Sequence, residues 1–259
     1  MDLGLKGRKA VICASSRGLG RACATSLARE GCDIVINGLN PERLAETAKA
    51  IHAETGANVT PVIADINTDE GRKTLLAACA EPDILVNNNA GPPPGKLADW
   101  DHAAWLSALE ANMLAPILLI RAVVPGMRQR KFGRIVNITS AMVKSPRPAL
   151  GLSTAARTGL TALCKSLSFE VAPDNVTINN MLPERIDTDR QRFMAERAMK
   201  IEGITWEEAR QRQVDAIAVK RLGRPEEFGD ACAFLCSTQA GFISGQNLQL
   251  DGGSYHGLI

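Results

Sequence analysis

Arg134-Ile-Val-Asn-Ile-Thr-Ser140 is followed by a proline-bearing turn and then by Leu152-Ser-Thr-Ala-Ala-Arg157-Thr-Gly-Leu160. Ile135, Val136 and Ile138 form a short apolar run, the pattern of a fully buried strand. The run ends in Thr139 and Ser140, and ligands of open α/β sheets bind at the carboxyl ends of strands. Pro146 and Pro148 break any continuing element. Ala155, Ala156, Leu160, Leu163 and Leu167 then recur at helical spacing. Ser153 and Arg157 stand four apart, on one helix face near its start. The stretch therefore aims Ser140, Ser153 and a guanidinium at one place.

Composition sets bounds around this stretch. A chain of 259 residues is within the size of one α/β domain. A formal net charge of +2 gives no sign of a nucleic-acid partner. No run approaches the ~18 apolar residues of a membrane span, and the start lacks the apolar core of a signal peptide. Cytoplasm is the default expectation. The seven cysteines include no Cys-x-x-Cys pair and are expected to be buried small hydrophobes in a reducing compartment. With three scattered histidines and no Gly-x-Ser-x-Gly elbow, neither a metal site nor a Ser-His-Asp hydrolase is supported.

The rest of the chain alternates strand and helix signals. Lys9 to Cys13 reads as a strand running into Ala14-Ser-Ser16-Arg17-Gly18-Leu19-Gly20, then a helix stopped by Gly31. A glycine-rich turn there lets backbone N–H groups approach a pyrophosphate. Asp33 to Asn37 is a second strand. Gly38 stands where an acidic side chain would accept from a ribose 2′-hydroxyl and repel a 2′-phosphate. Arg17 can pair with that phosphate instead, so NADP(H) is expected over NAD(H). Asn40 caps a helix that opens with Pro41, and Val59 to Ala64 is a strand leading to Asp65-Ile66. Ile84 to Val86 leads into Asn87-Asn88-Asn89-Ala90-Gly91. A long helical region covers about 101–130 and holds Asn112. Val176 to Leu182 is a strand running into Pro183-Glu184-Arg185-Ile186-Asp187-Thr188. A helical lid is expected at about 187–220, and Leu248 to Leu250 is the last strand.

These motifs together resemble the short-chain dehydrogenase/reductase family, in its 3-oxoacyl-ACP-reductase-like form. That family carries a Ser, a Tyr thirteen residues on, and a Lys four further. Here Ser140 is followed at those intervals by Ser153 and Arg157, so the spacing is kept and the Tyr and Lys are replaced. The Thr-Gly-x-x-x-Gly-x-Gly pattern becomes Cys13-Ala14, with Gly18 and Gly20 retained. The Asn-Asn-Ala-Gly pattern fits Asn88-Asn89 or Asn87-Asn88, depending on register. Pro183-Glu184 stands for Pro-Gly, which questions the local turn, and Thr188 matches the family Thr.

The resemblance implies a single-domain, doubly wound Rossmann fold: α/β, about seven parallel strands, helices on both faces. It implies an NAD(P)(H)-dependent oxidoreductase moving hydride to or from a carbonyl or secondary-alcohol substrate, and a homotetramer or homodimer. Ala14, Ser16, Arg17, Gly18, Leu19 and Gly20 would hold the cofactor phosphates. Asp65 and Ile66 would meet the adenine, with a helix N-cap as the alternative role for Asp65. Asn88, Ala90 and Arg157 would line the ribose, and Pro183, Ile186 and Thr188 the nicotinamide amide. Ser140, Ser153, Arg157 and Asn112 fall at the catalytic positions.

Ser153 is a poor substitute for a phenol, because an aliphatic hydroxyl is far less acidic and shorter. Arg157 keeps the charge but stays protonated, so it cannot relay protons. Three readings follow. The proton comes from water, Ser140, Lys144 or a neighbouring subunit's Tyr255. Alternatively the chain is a catalytically silent NAD(P)-binding sensor or partner subunit. A lyase or isomerase using the same pocket is the third.

Overall fold

The computed structural model describes residues 1–258. Seven strands form one sheet: β1 Lys9–Ile12, β2 Asp33–Gly38, β3 Val59–Ile63, β4 Ile84–Asn87, β5 Gly133–Ile138, β6 Val176–Pro183 and β7 Asn247–Leu250. All pairings are parallel, in the order β3-β2-β1-β4-β5-β6-β7. This is the doubly wound Rossmann arrangement, and the order reverses between β1 and β4. Strand ends differ from the sequence reading by one or two residues. Cys13 and Ala64 lie just past their strands, while β6 continues through Pro183.

Helices cover both faces because the central strands are apolar on both sides. One face packs on α1 (Gly18–Arg29), α2 (Pro41–Thr55) and α9 (Pro225–Cys236). Cys23, Leu27, Leu44, Ile51, Phe228 and Cys232 meet Ile12, Ile34 and Val86 there. The other face packs on α3 (Asp69–Ala77), α5 (Ala115–Gln129) and α6 (Gly151–Val171), through Leu75, Leu119, Ile120, Val123, Leu160 and Cys164. All seven thiols are buried and unbridged, four in the first core and three in the second. Burial pushes those of Cys13, Cys32 and Cys164 up to about 12.

The 101–130 region is helical as expected, with two further features. The helix is not uniform: α4 (His102–Leu109) and α5 are joined by a π-helical turn at Glu110–Leu114, which is centred on Asn112. In addition, His102–Gln129 is long and apolar enough to meet the length and composition criteria for a membrane span. Its buried side is the α5 face that packs on the sheet, as a core helix does.

Asparagines run through the sheet. Asn87, Asn137, Asn180 and Asn247 are register partners on β4, β5, β6 and β7. Asn87 Nδ2 donates to Asn137 Oδ1 at 2.9 Å, Asn137 Nδ2 to Asn180 Oδ1 at 3.0 Å, and Asn180 Nδ2 to Asn247 Oδ1 at 2.9 Å. Buried amides persist where they find partners, and only the Asn87 Oδ1 end of this ladder has none.

Candidate active site

The sequence-predicted residues converge at the carboxyl ends of the strands, around the β1/β4 reversal. Ala14 leaves β1 with φ +44°, and Gly18 has φ +58°. A Cβ on Gly20 would stand 2.5 Å from Ala14 O and 2.9 Å from Asn88 Nδ2, so only glycine permits this turn. Thr47 Oγ1 donates to Ser16 O at 2.8 Å and pins the loop. Leu19 packs against the first core. The N-terminus of α1 has no side-chain cap and no acidic residue in its first turn. Its free N–H groups and positive dipole end are suited to an anion.

No carboxylate stands at the end of β2, as Gly38 requires. Arg17 Nη1 pairs with Asp189 Oδ2 at 2.9 Å, and both side chains are exposed. After β3, Asp65 is exposed and its Oδ1 accepts from Asn67 N at 3.0 Å. The helix-cap alternative for Asp65 is corrected, because Thr68 caps α3 by accepting from Gly71 N at 3.0 Å. Ile66 is buried beside it.

The three asparagines at and beyond the end of β4 take different partners. Asn87 belongs to the sheet ladder. Asn88 Nδ2 donates to Ala14 O at 3.0 Å, joining β4 to the glycine-rich turn. Asn89 Nδ2 donates to Asn67 Oδ1 at 2.8 Å and Ala111 O at 3.0 Å. Asn112 Nδ2 donates to Ala90 O at 3.3 Å and Ala108 O at 3.4 Å, so the π turn is tied to the same loop.

Ser140 is half-buried, and its Oγ accepts from Met142 N at 3.2 Å. Ser153 and Arg157 do share one face of α6, where Arg157 Nη1 donates to Ser153 Oγ. Both are 8% exposed. Arg157 lines a cavity of about 20 Å³ with Asn88, Asn112, Ile138 and Leu160. Burial first, and the nearby Arg190 charge second, push the Arg157 guanidinium down to about 10.

The turn after β6 forms despite Glu184. Glu184 N donates to Leu250 O at 3.1 Å, and the left-handed residue is Arg185, with φ +55°. Glu184 accepts from Arg147 Nη2 at 2.6 Å, linking the loops after β5 and β6. Pro183 ends β6, and Ile186 is buried and bridges to Gly223. Thr188 Oγ1 donates to Ile186 O at 3.3 Å. The segment beyond holds two helices, α7 (Asp189–Glu202) and α8 (Trp206–Asp215).

Tyr255 lies beside a lysine of its own chain. The chain's own tail brings its ring to 5.6 Å from Lys144 Nζ, which also donates to Gln249 Oε1 at 3.4 Å. Sequence reading missed Arg190 and Arg197, whose Nη2 atoms donate to Pro92 O at 3.3 Å and Pro94 O at 3.5 Å. Only the run of lid arginines hinted at them.

Residues 13–255 match the family model described as enoyl-(acyl carrier protein) reductase. The cattle protein dehydrogenase/reductase SDR family member 4 is 34% identical over 257 residues, covering 96% of this chain and 88% of that protein. Among solved structures, L-sorbose reductase from Gluconobacter frateurii, complexed with NADPH and L-sorbose, superposes with a TM-score of 0.93. It is 31% identical, and both chains are covered fully. A 3-oxoacyl-(acyl-carrier-protein) reductase from Agrobacterium tumefaciens with NADP bound gives 0.87, at 30% identity, covering 97% of this chain and 96% of that one. The fold, the glycine-rich turn and these matches agree: the chain belongs to the short-chain dehydrogenase/reductase family.

Proposed function

We propose that the chain is an NADP(H)-dependent oxidoreductase acting on a small carbonyl or secondary-alcohol substrate, with a proton donor other than the residue at position 153. The uncapped α1 N-terminus behind Gly18 and Gly20 carries this reading, since it offers free N–H groups to a pyrophosphate. A bound nicotinamide would supply or accept the hydride. Ala14 to Gly20 hold the phosphates, Asp65 and Ile66 the adenine, and Asn88, Ala90 and Arg157 the ribose. Pro183, Ile186 and Thr188 face the amide, and the α7–α8 segment covers the substrate. Preference for the 2′-phosphate is supported by the absent acid at Gly38, by Arg17, and by the NADPH and NADP bound to the relatives.

Ser140 holds the substrate oxygen. Ser153 Oγ already accepts from Arg157 and is an aliphatic alcohol, so it is a poor proton source. Lys144, four residues past Ser140, is the donor we favour, because an ammonium is a far stronger acid than such a hydroxyl. Asn112 positions the Ala90 loop. Fluorescence titration with NADPH and NADH, followed by a carbonyl and alcohol panel, tests the reading. Tighter NADPH with turnover supports it. Binding without turnover across the panel moves the chain to a sensor or partner role.

A further inference from the structure

Among the described residues, two arginines are buried without a carboxylate partner, and they differ in one respect. Arg134 is surrounded by acceptors: its guanidinium donates to the carbonyls of Ser237, Gly133 and Asn175 and to Asn175 Oδ1. Arg157 has five N–H donors and makes one side-chain hydrogen bond, to Ser153 Oγ. Among the described residues no carboxylate lies within ion-pair distance of it.

Nearby acids are already occupied. Asp189 pairs with Arg17, Asp187 with Arg210, and Glu184 with Arg147 and Arg185. Arg190, on the first turn of α7, has no carboxylate either, yet it stands close enough to destabilise the Arg157 charge. Both guanidiniums border the Gly91–Pro94 loop. Arg157 Nη1 and Nη2 lie 3.5 and 3.6 Å from where a Gly91 Cβ would be, and Arg190 holds Pro92 O. Two like charges bordering one loop, both held against desolvation, raise the free energy of the ligand-free protein unless an anion enters.

We infer that the substrate carries a carboxylate, and that Arg157 and Arg190 together receive it. This rests on the proposed reading of the site as carbonyl-active and narrows it to oxo acids or hydroxy acids. A planar guanidinium offers a carboxylate two parallel N–H donors, which an ammonium at this position would not. The replacement at position 157 thereby acquires a role beyond holding ribose hydroxyls.

Calorimetric titration of the NADPH-saturated protein with oxalate, and with neutral oxamide as control, tests the inference without requiring turnover. Oxalate is expected to bind and oxamide not. Arg157→Gln and Arg190→Gln should each weaken oxalate about tenfold, and Arg157→Lys by less. Arg190 is exposed on α7, so its variant folds even if a buried change at Arg157 does not. Absence of oxalate binding, equal binding of oxamide, or unchanged oxalate affinity in both glutamine variants overturns the proposal. So does a tenfold loss of NADPH affinity in both variants with oxalate unaffected, which would assign the guanidiniums to a cofactor phosphate. Oxalate binding with no hydride transfer on any carbonyl would leave the anion site standing and remove the oxidoreductase reading instead.

Discussion

Asn87 and Asn137 face each other across β4 and β5, with Nδ2 2.9 Å from Oδ1, inside the sheet that carries the site. Asn137 also donates to Asn180, so it is one of the two inner rungs of the ladder. Replacing it with leucine leaves the Asn87 Nδ2 donor and the Asn180 Oδ1 acceptor buried and unpaired. Each such loss costs ~1–3 kcal/mol. We expect Asn137→Leu to destabilise the fold by about 2–6 kcal/mol in urea unfolding. A cost below that range would mean the neighbours re-pair.

The two arginines buried without a carboxylate should respond to methionine with opposite signs. Arg134→Met removes the donor to the Ser237, Gly133 and Asn175 carbonyls, of which Asn175 O keeps the Gly133 N–H, and should cost about 3 kcal/mol. Arg157→Met removes an uncompensated buried charge and should stabilise by about 1–3 kcal/mol. Equal destabilisation by both would show that Arg157 is structural. The pH dependence has a definite sign. Burial pushes the Arg157 guanidinium down to about 10, so the folded chain holds that proton less tightly than the unfolded one. The penalty is complete below about pH 10 and fades as pH rises towards the ordinary guanidinium range. The stability gap between Arg157→Met and the natural chain should therefore narrow above that pH.

Arg17 decides the cofactor under the proposed reading. Arg17→Ala should lower the preference for NADPH over NADH about tenfold, with NADH affinity nearly unchanged. Asp189→Asn, which releases Arg17 from its present partner, should move the ratio in the opposite direction. Fluorescence titration of both cofactors reads each change. NADH binding tighter than NADPH in the unaltered protein would falsify the preference.

Lys144→Met should lower turnover by about 10²–10⁴ if the ammonium gives the proton. Tyr255→Phe keeps the ring beside Lys144 and should cost less than tenfold. The reverse order of effects would make the tyrosine hydroxyl the donor. Ser153→Tyr combined with Arg157→Lys restores the family pair and should raise reduction of simple ketones by about 10². The same double variant should lose oxalate affinity, since it gives up the planar fork.

Much of this was legible in the chain. Apolar runs located the strands, since parallel strands buried on both faces read as continuous hydrophobic stretches. The four-residue step from Ser153 to Arg157 correctly placed both on one face of α6. The π turn at Glu110–Leu114 was not legible, because its residues keep a helical pattern and only the extra residue per turn differs. Nor were the partners of Arg17, Arg147 and Arg190, which lie across loops far apart in sequence. Their pairing depends on how α7 folds back over the Gly91–Pro94 loop, and local spacing carries no record of that. The tail shows the same limit: two glycines at positive φ, Gly252 and Gly253, turn Tyr255 towards its own Lys144.

The burial of the cysteines makes the protein its own reporter of partial opening. Cys23, Cys32, Cys232 and Cys236 belong to the core on one face of the sheet, and Cys13, Cys79 and Cys164 to the core on the other. A thiol shielded from solvent alkylates only when its surroundings part. Timed exposure to iodoacetamide, followed by peptide mass spectrometry, would therefore rank the two layers by how often each comes loose. The face that backs the site can be followed separately from the face behind it, with no foreign label introduced.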